Sequence, residues 1–285
     1  MAARLRTTNC MSCSIPDGPE LNRHIWKIYR EFFDMAERRR RWTIAGDIPW
    51  DQCNPNTPAE IADVVETFCA VELFLPDYVG KALPVARGIR GRAWFLANWG
   101  YEESKHSLVL QEWLLRSGHR TEHQIEEASD WAVFNEWNLP QDDVRGMTCY
   151  TMCQELATWL HYRNLRNVIG NTDPALNKVL QLISIDERAH YDFYVKVMKL
   201  HLADDRQGTL EQLKAVLNDF AMPATHLMAD SANRQAKVRS LNIFNEALFY
   251  SDVLMPIMEA LDIDKSELRN RALLKKSLPN PVAVL

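Results

Sequence analysis

Apolar residues along this chain recur at intervals of three and four, and no long stretch alternates with period two, so helices are predicted almost throughout. Thr57-Pro58-Ala59-Glu60 carries the marks of a helix start: a capping hydroxyl, a proline in the first turn and a capping-box glutamate. That helix is predicted to run to about Gly80, kinked or ended near Pro76. The next covers roughly Ala86 to Arg116 and stops at Ser117-Gly118, followed by a shorter amphipathic segment from Glu122 to Trp137. Long helices are then expected from about Asp142 to Ile169 and from Ala175 to about Ala203, separated by Gly170-Asn171 and Asp173-Pro174. Two or three further helices fill 208–262. Four helices of this length suit an all-α bundle.

No linker or low-complexity tract divides the 285 residues, which points to one domain. Its bundle core is placed at about 57–205, with an N-terminal arm over 1–56 and C-terminal helices and a tail over 206–285. Only 10 residues are Gly, which argues against a fold built on tight hairpins. A net charge of −5 gives no global field for nucleic acid. No apolar run is long enough for a membrane span and no signal peptide is evident, so a cytoplasmic protein is expected. Six cysteines are too sparse for a disulfide scaffold; Cys10 and Cys13 form a CxxC with no second pair to complete a zinc site, and Cys149 and Cys153 fit a helix face in the core.

The chemistry concentrates in a repeat. Glu-x-x-His occurs twice, at Glu103–His106 and Glu187–His190, against roughly half an occurrence expected from composition. Glu72 lies 31 residues before Glu103, and Glu155 lies 32 before Glu187. Residues three apart share a helix face, so each Glu and His can reach one ion while the solitary Glu comes from a facing helix. Four carboxylates and two imidazoles balance two divalent ions. Such ligands suit iron and oxygen chemistry, or manganese, better than a closed zinc site. A solvated helix-face glutamate is the ordinary explanation for any one of these residues, but not for six in register.

These stretches resemble the soluble acyl-carrier-protein desaturases of the ferritin-like di-iron superfamily. The matching residues are Glu72-Leu-Phe-Leu-Pro76-Asp-Tyr78, Trp99-Gly-Tyr-Glu102-Glu103-Ser-Lys-His106, Gln154-Glu155-Leu-Ala-Thr158 and Asp186-Glu187-Arg-Ala-His190 with Tyr194. The resemblance spans about 50 to 200. It implies a ferritin-like four-helix bundle with added helices, and two iron ions bound by Glu72, Glu103, His106, Glu155, Glu187 and His190. The implied activity removes two hydrogens from an acyl chain on acyl carrier protein, with oxygen and electrons from a ferredoxin-type donor, in a homodimer. Lys105 and Ala189 stand where the family often has Arg, and Tyr162 stands where it has His.

Thr158 shares a face with Glu155; the resemblance makes it a proton-relay or oxygen-binding group, while a hydroxyl bonded to the carbonyl four residues back is the structural alternative. Asp186 is expected to orient a ligating His. Trp50 resembles a tryptophan on the family's electron route, with a plain core Trp as the alternative. The dense basic stretches, Arg38, Arg39, Arg40 and Arg41 and the set Lys81, Arg87, Arg90 and Arg92, are the expected docking sites for an acidic carrier or ferredoxin, against the simpler reading of solvated helix faces. Hydroxylation or N-oxygenation on the same bundle is the alternative activity. Iron storage fits poorly with the length, and Leu110 stands where a radical-generating reductase subunit keeps Tyr.

Overall fold

The computed structural model describes residues 18–268, which are helical and contain no strand. The chain opens with α1 (Pro19–Arg39), a helix within the segment expected to be an arm. Its Leu21, Ile25, Tyr29, Phe32 and Ala36 form one buried stripe at helical spacing. The helix predicted from residue 57 is broken in two, α2 (Ala59–Glu72) and α3 (Leu75–Ala86). Pro76 sits in the first turn of α3, where its missing N–H costs nothing. The Tyr78 hydroxyl donates to the Val71 carbonyl at 2.8 Å, satisfying an acceptor near the break.

Three long helices follow: α4 (Arg90–Arg116), α6 (Val144–Ile169) and α7 (Pro174–Asp204), with the shorter α5 (Glu122–Phe134) between the first two. The fourth long helix expected from sequence is the interrupted α2–α3 pair. Asp143 caps α6 through the Arg145 and Gly146 amides, and Asp173 caps α7 through Leu176 N at 2.9 Å. Asp173 is fully buried because it also accepts from Thr57 Oγ1 and Trp113 Nε1, both at 3.0 Å, which ties three helix ends together.

The bundle core pairs α2 with α4 and α6 with α7, while α1 lies across α4 and α7. Gly91 makes that crossing possible: a Cβ there would lie 2.7 Å from the Ile25 backbone. After α7 come α8 (Arg206–Asp219), α9 (Ser231–Ser240), a helical run from Glu246 to Ala260 with a π-helical stretch at Phe249–Leu254, and a single turn at Lys265–Leu268. Two apolar clusters fill the molecule. On α4 one includes Phe95, Leu96 and Trp99 and the other Val109, Leu110 and Trp113; on α7 they divide in the same way around residues 186–190. The polar motifs lie in the gap. No helix among the described residues is long and apolar enough to cross a membrane. Cys53, Cys69, Cys149 and Cys153 are free thiols, the last two fully buried, whereas Cys10 and Cys13 lie outside the described residues.

Candidate metal centre

All six motif residues converge and all are buried. Glu72 closes α2, Glu103 and His106 are on α4, Glu155 is on α6, and Glu187 and His190 are on α7. They form two overlapping groups whose potential ligand atoms lie within 4.8 Å of one another: Glu72, Glu103, His106 and Glu187, and Glu103, Glu155, Glu187 and His190. Glu103 and Glu187 belong to both, the placement of carboxylates that bridge two ions. His106 Nδ1 is 3.1 Å from Glu103 and 3.3 Å from Glu187; His190 Nδ1 is 3.0 Å from Glu103 and 3.4 Å from Glu155.

Electrostatics make this packing costly without a cation. Burial pushes the Glu72 and Glu155 carboxyls well above the usual carboxylate range, and neighbouring carboxylates push the same way. Burial would raise Glu187 too, but hydrogen bonds to His106 and His190 pull it down to about 2. Burial would lower both imidazoles, yet the carboxylates around them hold His106 and His190 well above the ordinary value. Glu103 Oε1, Glu155 Oε2, Glu187 Oε1 and His190 Nδ1 are buried, and carboxylate and imidazole atoms meet one another at 3.0–3.4 Å across the cluster. Four buried carboxylates crowded on two imidazoles fit a cluster that holds metal.

The outward nitrogens are held by a crossed arrangement. His106 Nε2 on α4 faces Asp186 Oδ2 on α7 at 3.5 Å, while His190 Nε2 on α7 faces Glu102 Oε2 on α4 at 2.7 Å. Asp186 is thus the acid at the outward nitrogen of His106. Glu102 was missed, although Glu102-Glu103 and Asp186-Glu187 form the same acid–Glu pair in each repeat. Trp99 Nε1 donates to Glu155 at 3.0 Å and the Tyr162 hydroxyl donates to Glu72 at 2.8 Å, so each solitary glutamate has one aromatic donor.

Several expectations are corrected here. Arg40 is not a surface charge: its side chain is 8% exposed, with Nη2 on both Glu102 oxygens at 2.9 and 3.1 Å and Nη1 on Asp186. Arg41 turns inward to Glu102 and to Asn98 at 2.9 Å. Buried acids at the motif require cations, and the buried Arg40 and half-buried Arg41 supply them. Arg92 is fully buried, bonded to Thr148 and to the Val144 carbonyl at 3.2 Å. Lys81 pairs with Glu136 at 2.6 Å and with the Trp137 carbonyl. Arg38, Arg39, Arg87 and Arg90 remain exposed, Arg38 paired with Asp34 at 2.9 Å and Arg90 stacked 3.9 Å from the Trp26 ring. The two remaining pairs lie toward opposite ends of α1, about 20 Å apart at helical rise. Trp50 bonds the Ile44 carbonyl, and it is Trp42 whose Nε1 reaches Asp186, at 2.7 Å.

A cavity of about 510 Å³ opens onto the cluster, with Glu72, Glu103 and Glu187 in its lining. Thr158 also lines it, while its hydroxyl donates to the Gln154 carbonyl at 2.9 Å, so both features anticipated for it occur together. His161 packs on Phe244 at 4.2 Å; burial drives its pKa down to about 4, leaving it neutral. The outer wall is supplied by residues 220–228 and 235–249, from the helices beyond the bundle.

A family model for fatty acid desaturases matches residues 75–274, most of the chain. The chain belongs to the fatty acid desaturase family. Glu72 falls just before the matched span. Among curated desaturases, the chain is 25% identical over 175 residues to a chloroplastic stearoyl-[acyl-carrier-protein] 9-desaturase of Olea europaea, covering 59% of this chain and 45% of that one. It is 29% identical over 167 residues to chloroplastic acyl-[acyl-carrier-protein] desaturase 7 of Oryza sativa subsp. indica, covering 55% and 41%. The match therefore spans less than half the length of these relatives. Among solved structures, DesA2 of Mycobacterium tuberculosis H37Rv, assigned as an acyl-ACP desaturase, superposes with a TM-score of 0.66 at 17% identity, covering 90% of this chain and 98% of that one. An R2-like ligand-binding oxidase reconstituted with a Mn/Fe cofactor superposes with a TM-score of 0.56 at 15% identity, covering 88% and 98%. These desaturase and oxidase neighbours share its ferritin-like helical fold.

Proposed function

We propose that this desaturase-family protein uses two redox-active metal ions and oxygen to introduce a double bond into an acyl chain delivered on acyl carrier protein. The observation that carries the reading is the pair of overlapping buried ligand groups, with their outward imidazole nitrogens held by acids. Glu72, Glu103, His106 and Glu187 would hold one ion, and Glu103, Glu155, Glu187 and His190 the other, with iron the first choice and manganese the second. When bound, such ions supply the oxygen reduction that breaking an unactivated C–H bond requires.

The chain's own residues do the rest. Glu102 and Asp186 accept the outward imidazole protons, which leaves each Nδ1 lone pair for metal. Arg40 pairs with both acids from outside, and Arg41 adds a second positive charge at Glu102. Trp99 and Tyr162 fix the solitary glutamates. The cavity positions the chain and keeps water from the buried base. Thr158 presents only its hydroxyl lone pairs to the cavity, because its proton is given to Gln154; Thr158→Val is expected to keep fold and metal content while coupled turnover falls. Unchanged coupling removes Thr158 from the mechanism. The acidic partners, carrier and ferredoxin-type donor, are assigned to the exposed pairs Arg38–Arg39 and Arg87–Arg90.

The deciding experiment loads the protein anaerobically with Fe(II), admits oxygen with a reductant, and follows a panel of acyl carrier protein thioesters by mass spectrometry. Loss of two hydrogens supports the desaturase; gain of one oxygen establishes the hydroxylase instead. Wild-type protein that takes up no more iron than Glu103→Ala and Glu187→Ala overturns the metal centre itself.

A further inference from the structure

The cavity has three chemically distinct bands. Its base is acidic and buried, formed by Glu72, Glu103 and Glu187. Its middle is lined by Phe68, Tyr78, Phe244 and Phe249, together with several hydroxyl and imidazole groups. Four of those polar groups already use their protons on the backbone. Thr67 Oγ1 donates to Asp63 O at 2.8 Å, Tyr78 to Val71 O at 2.8 Å, Thr158 to Gln154 O at 2.9 Å, and His161 Nδ1 to Ala157 O at 2.6 Å. With these donors spent internally, the middle band meets a ligand chiefly with ring faces and methyl groups, which suits a hydrocarbon chain.

The rim differs. His226, Arg239 and Glu246 line it and are exposed. On α9, Lys237 is committed to Asp63 at 2.7 Å and Arg234 to Glu66 at 3.6 Å, both acids of α2. Of these three cations only Arg239 has a side chain that makes no ion pair or hydrogen bond within the described residues. With His226 the rim offers two nitrogen-bearing groups against one carboxylate, Glu246.

We propose that the cavity takes an anionic single-chain amphiphile tail first, with Arg239 anchoring the charged head at the rim. This rests on the acyl-chain reading above and specifies how the chain is held. In the metal-free protein the three carboxylates that line the base disfavour an anion there, which leaves the rim for the head. A guanidinium binds a carboxylate or a phosphate through paired donors, so the head is either a free fatty acid carboxylate or the phosphate of a phosphopantetheine arm.

The test measures binding to the full chain, as isolated and metal-loaded, by displacement of a fluorescent alkyl-chain probe. The competitors are palmitate, palmitoyl-phosphopantetheine, methyl palmitate, cetyl alcohol and cetyltrimethylammonium. The wild type is expected to prefer the anionic heads over the neutral ones by about tenfold. Arg239→Gln abolishes that preference, Arg239→Lys retains part of it, and Arg234→Gln leaves it intact. The tighter of the two anionic ligands identifies the head. Equal binding of all heads by the wild type, preference for the ammonium, or an unchanged preference in Arg239→Gln overturns the proposal. Because the readout is binding, a protein that discriminates heads but takes up no metal loses only the redox reading. One that takes up metal but ignores the head loses only this inference.

Discussion

At the scale of single residues, the polar core is organised by who donates to whom. Tyr162 donates to Glu72, and removing that hydroxyl frees a carboxylate whose pKa burial already raises. Outer partners of a metal ligand typically change affinity by about 10–100-fold. Tyr162→Phe is therefore expected to weaken one of two Fe(II) equivalents by about tenfold in an anaerobic titration, leaving the other unchanged. Equal weakening of both would show that the hydroxyl does not act through Glu72. His161 makes a pH-dependent contribution. Burial depresses its folded pKa to about 4, against about 6.5 in the unfolded chain. The unfolded state thus binds more protons between those values, so stability falls as pH drops from about 6.5 to 4, by up to about 3 kcal/mol. Urea unfolding at pH 5 and pH 7 should show a smaller pH difference for His161→Phe than for the wild type. The six potential ligands were legible because their register repeats. Glu102 was not, because its partner is on the other repeat, and no local spacing announces an exchange across helices. Arg40 and Arg41 read as surface charges for the same reason: only the folded molecule shows that buried acids await them.

Among the helices, those with strong punctuation were legible. Pro174 after Asp173 and Gly170 after Ile169 mark boundaries that the structure reproduces to within a residue or two. The α1 helix was not legible, although its stripe is regular, because no capping side chain marks its start. The α2–α3 break was legible as a kink or an end near Pro76, and it falls between Glu72 and Leu75. The α9 helix is held differently from the rest. It buries Val238 but is fastened to α2 mainly through polar bridges, Lys237 and Arg120 meeting on Asp63 while Arg234 reaches Glu66 and Thr67. Burial would raise the Asp63 pKa, but the Lys237 and Arg120 bonds lower it below the ordinary aspartate value. The tether is therefore complete above the unfolded pKa of about 4 and is lost as pH falls through the lower folded value. Asp63→Asn should imitate that loss at neutral pH. Hydrogen exchange over 231–240 is expected to accelerate severalfold while α6 and α7 keep their protection; uniform acceleration would mean the bridge stabilises the whole fold rather than α9.

Over the whole molecule, the all-helical architecture was legible because helical period and Gly scarcity agree, and the fold neighbours carry the same architecture. The outer wall of the cavity was not legible, since residues 220–249 bear no motif and acquire their role only by packing over the bundle. One further surface is conspicuous at this scale. Trp94, Tyr101 and Leu108 stand seven residues apart on the outer face of α4 and are 56%, 56% and 53% exposed. A seven-residue repeat of large apolar groups is the pattern of a helix that pairs with another, and it supports placing the expected homodimer on this face. Sedimentation should show wild-type dimer and Tyr101→Glu monomer at micromolar concentration, with iron uptake unchanged. A variant that stays dimeric moves the interface elsewhere.

The crossed acids have a consequence for the two halves of the bundle. One hairpin supplies Glu72, Glu102, Glu103 and His106; the other supplies Glu155, Asp186, Glu187 and His190. Neither contains the acid that its own imidazole leans on, and each ion would draw carboxylates from both. A chain cut in the loop between them yields two fragments with equivalent inventories and no finished pocket in either. Each fragment is the other's missing template, so the capacity to hold metal belongs to their assembly and to no contiguous stretch of the polypeptide.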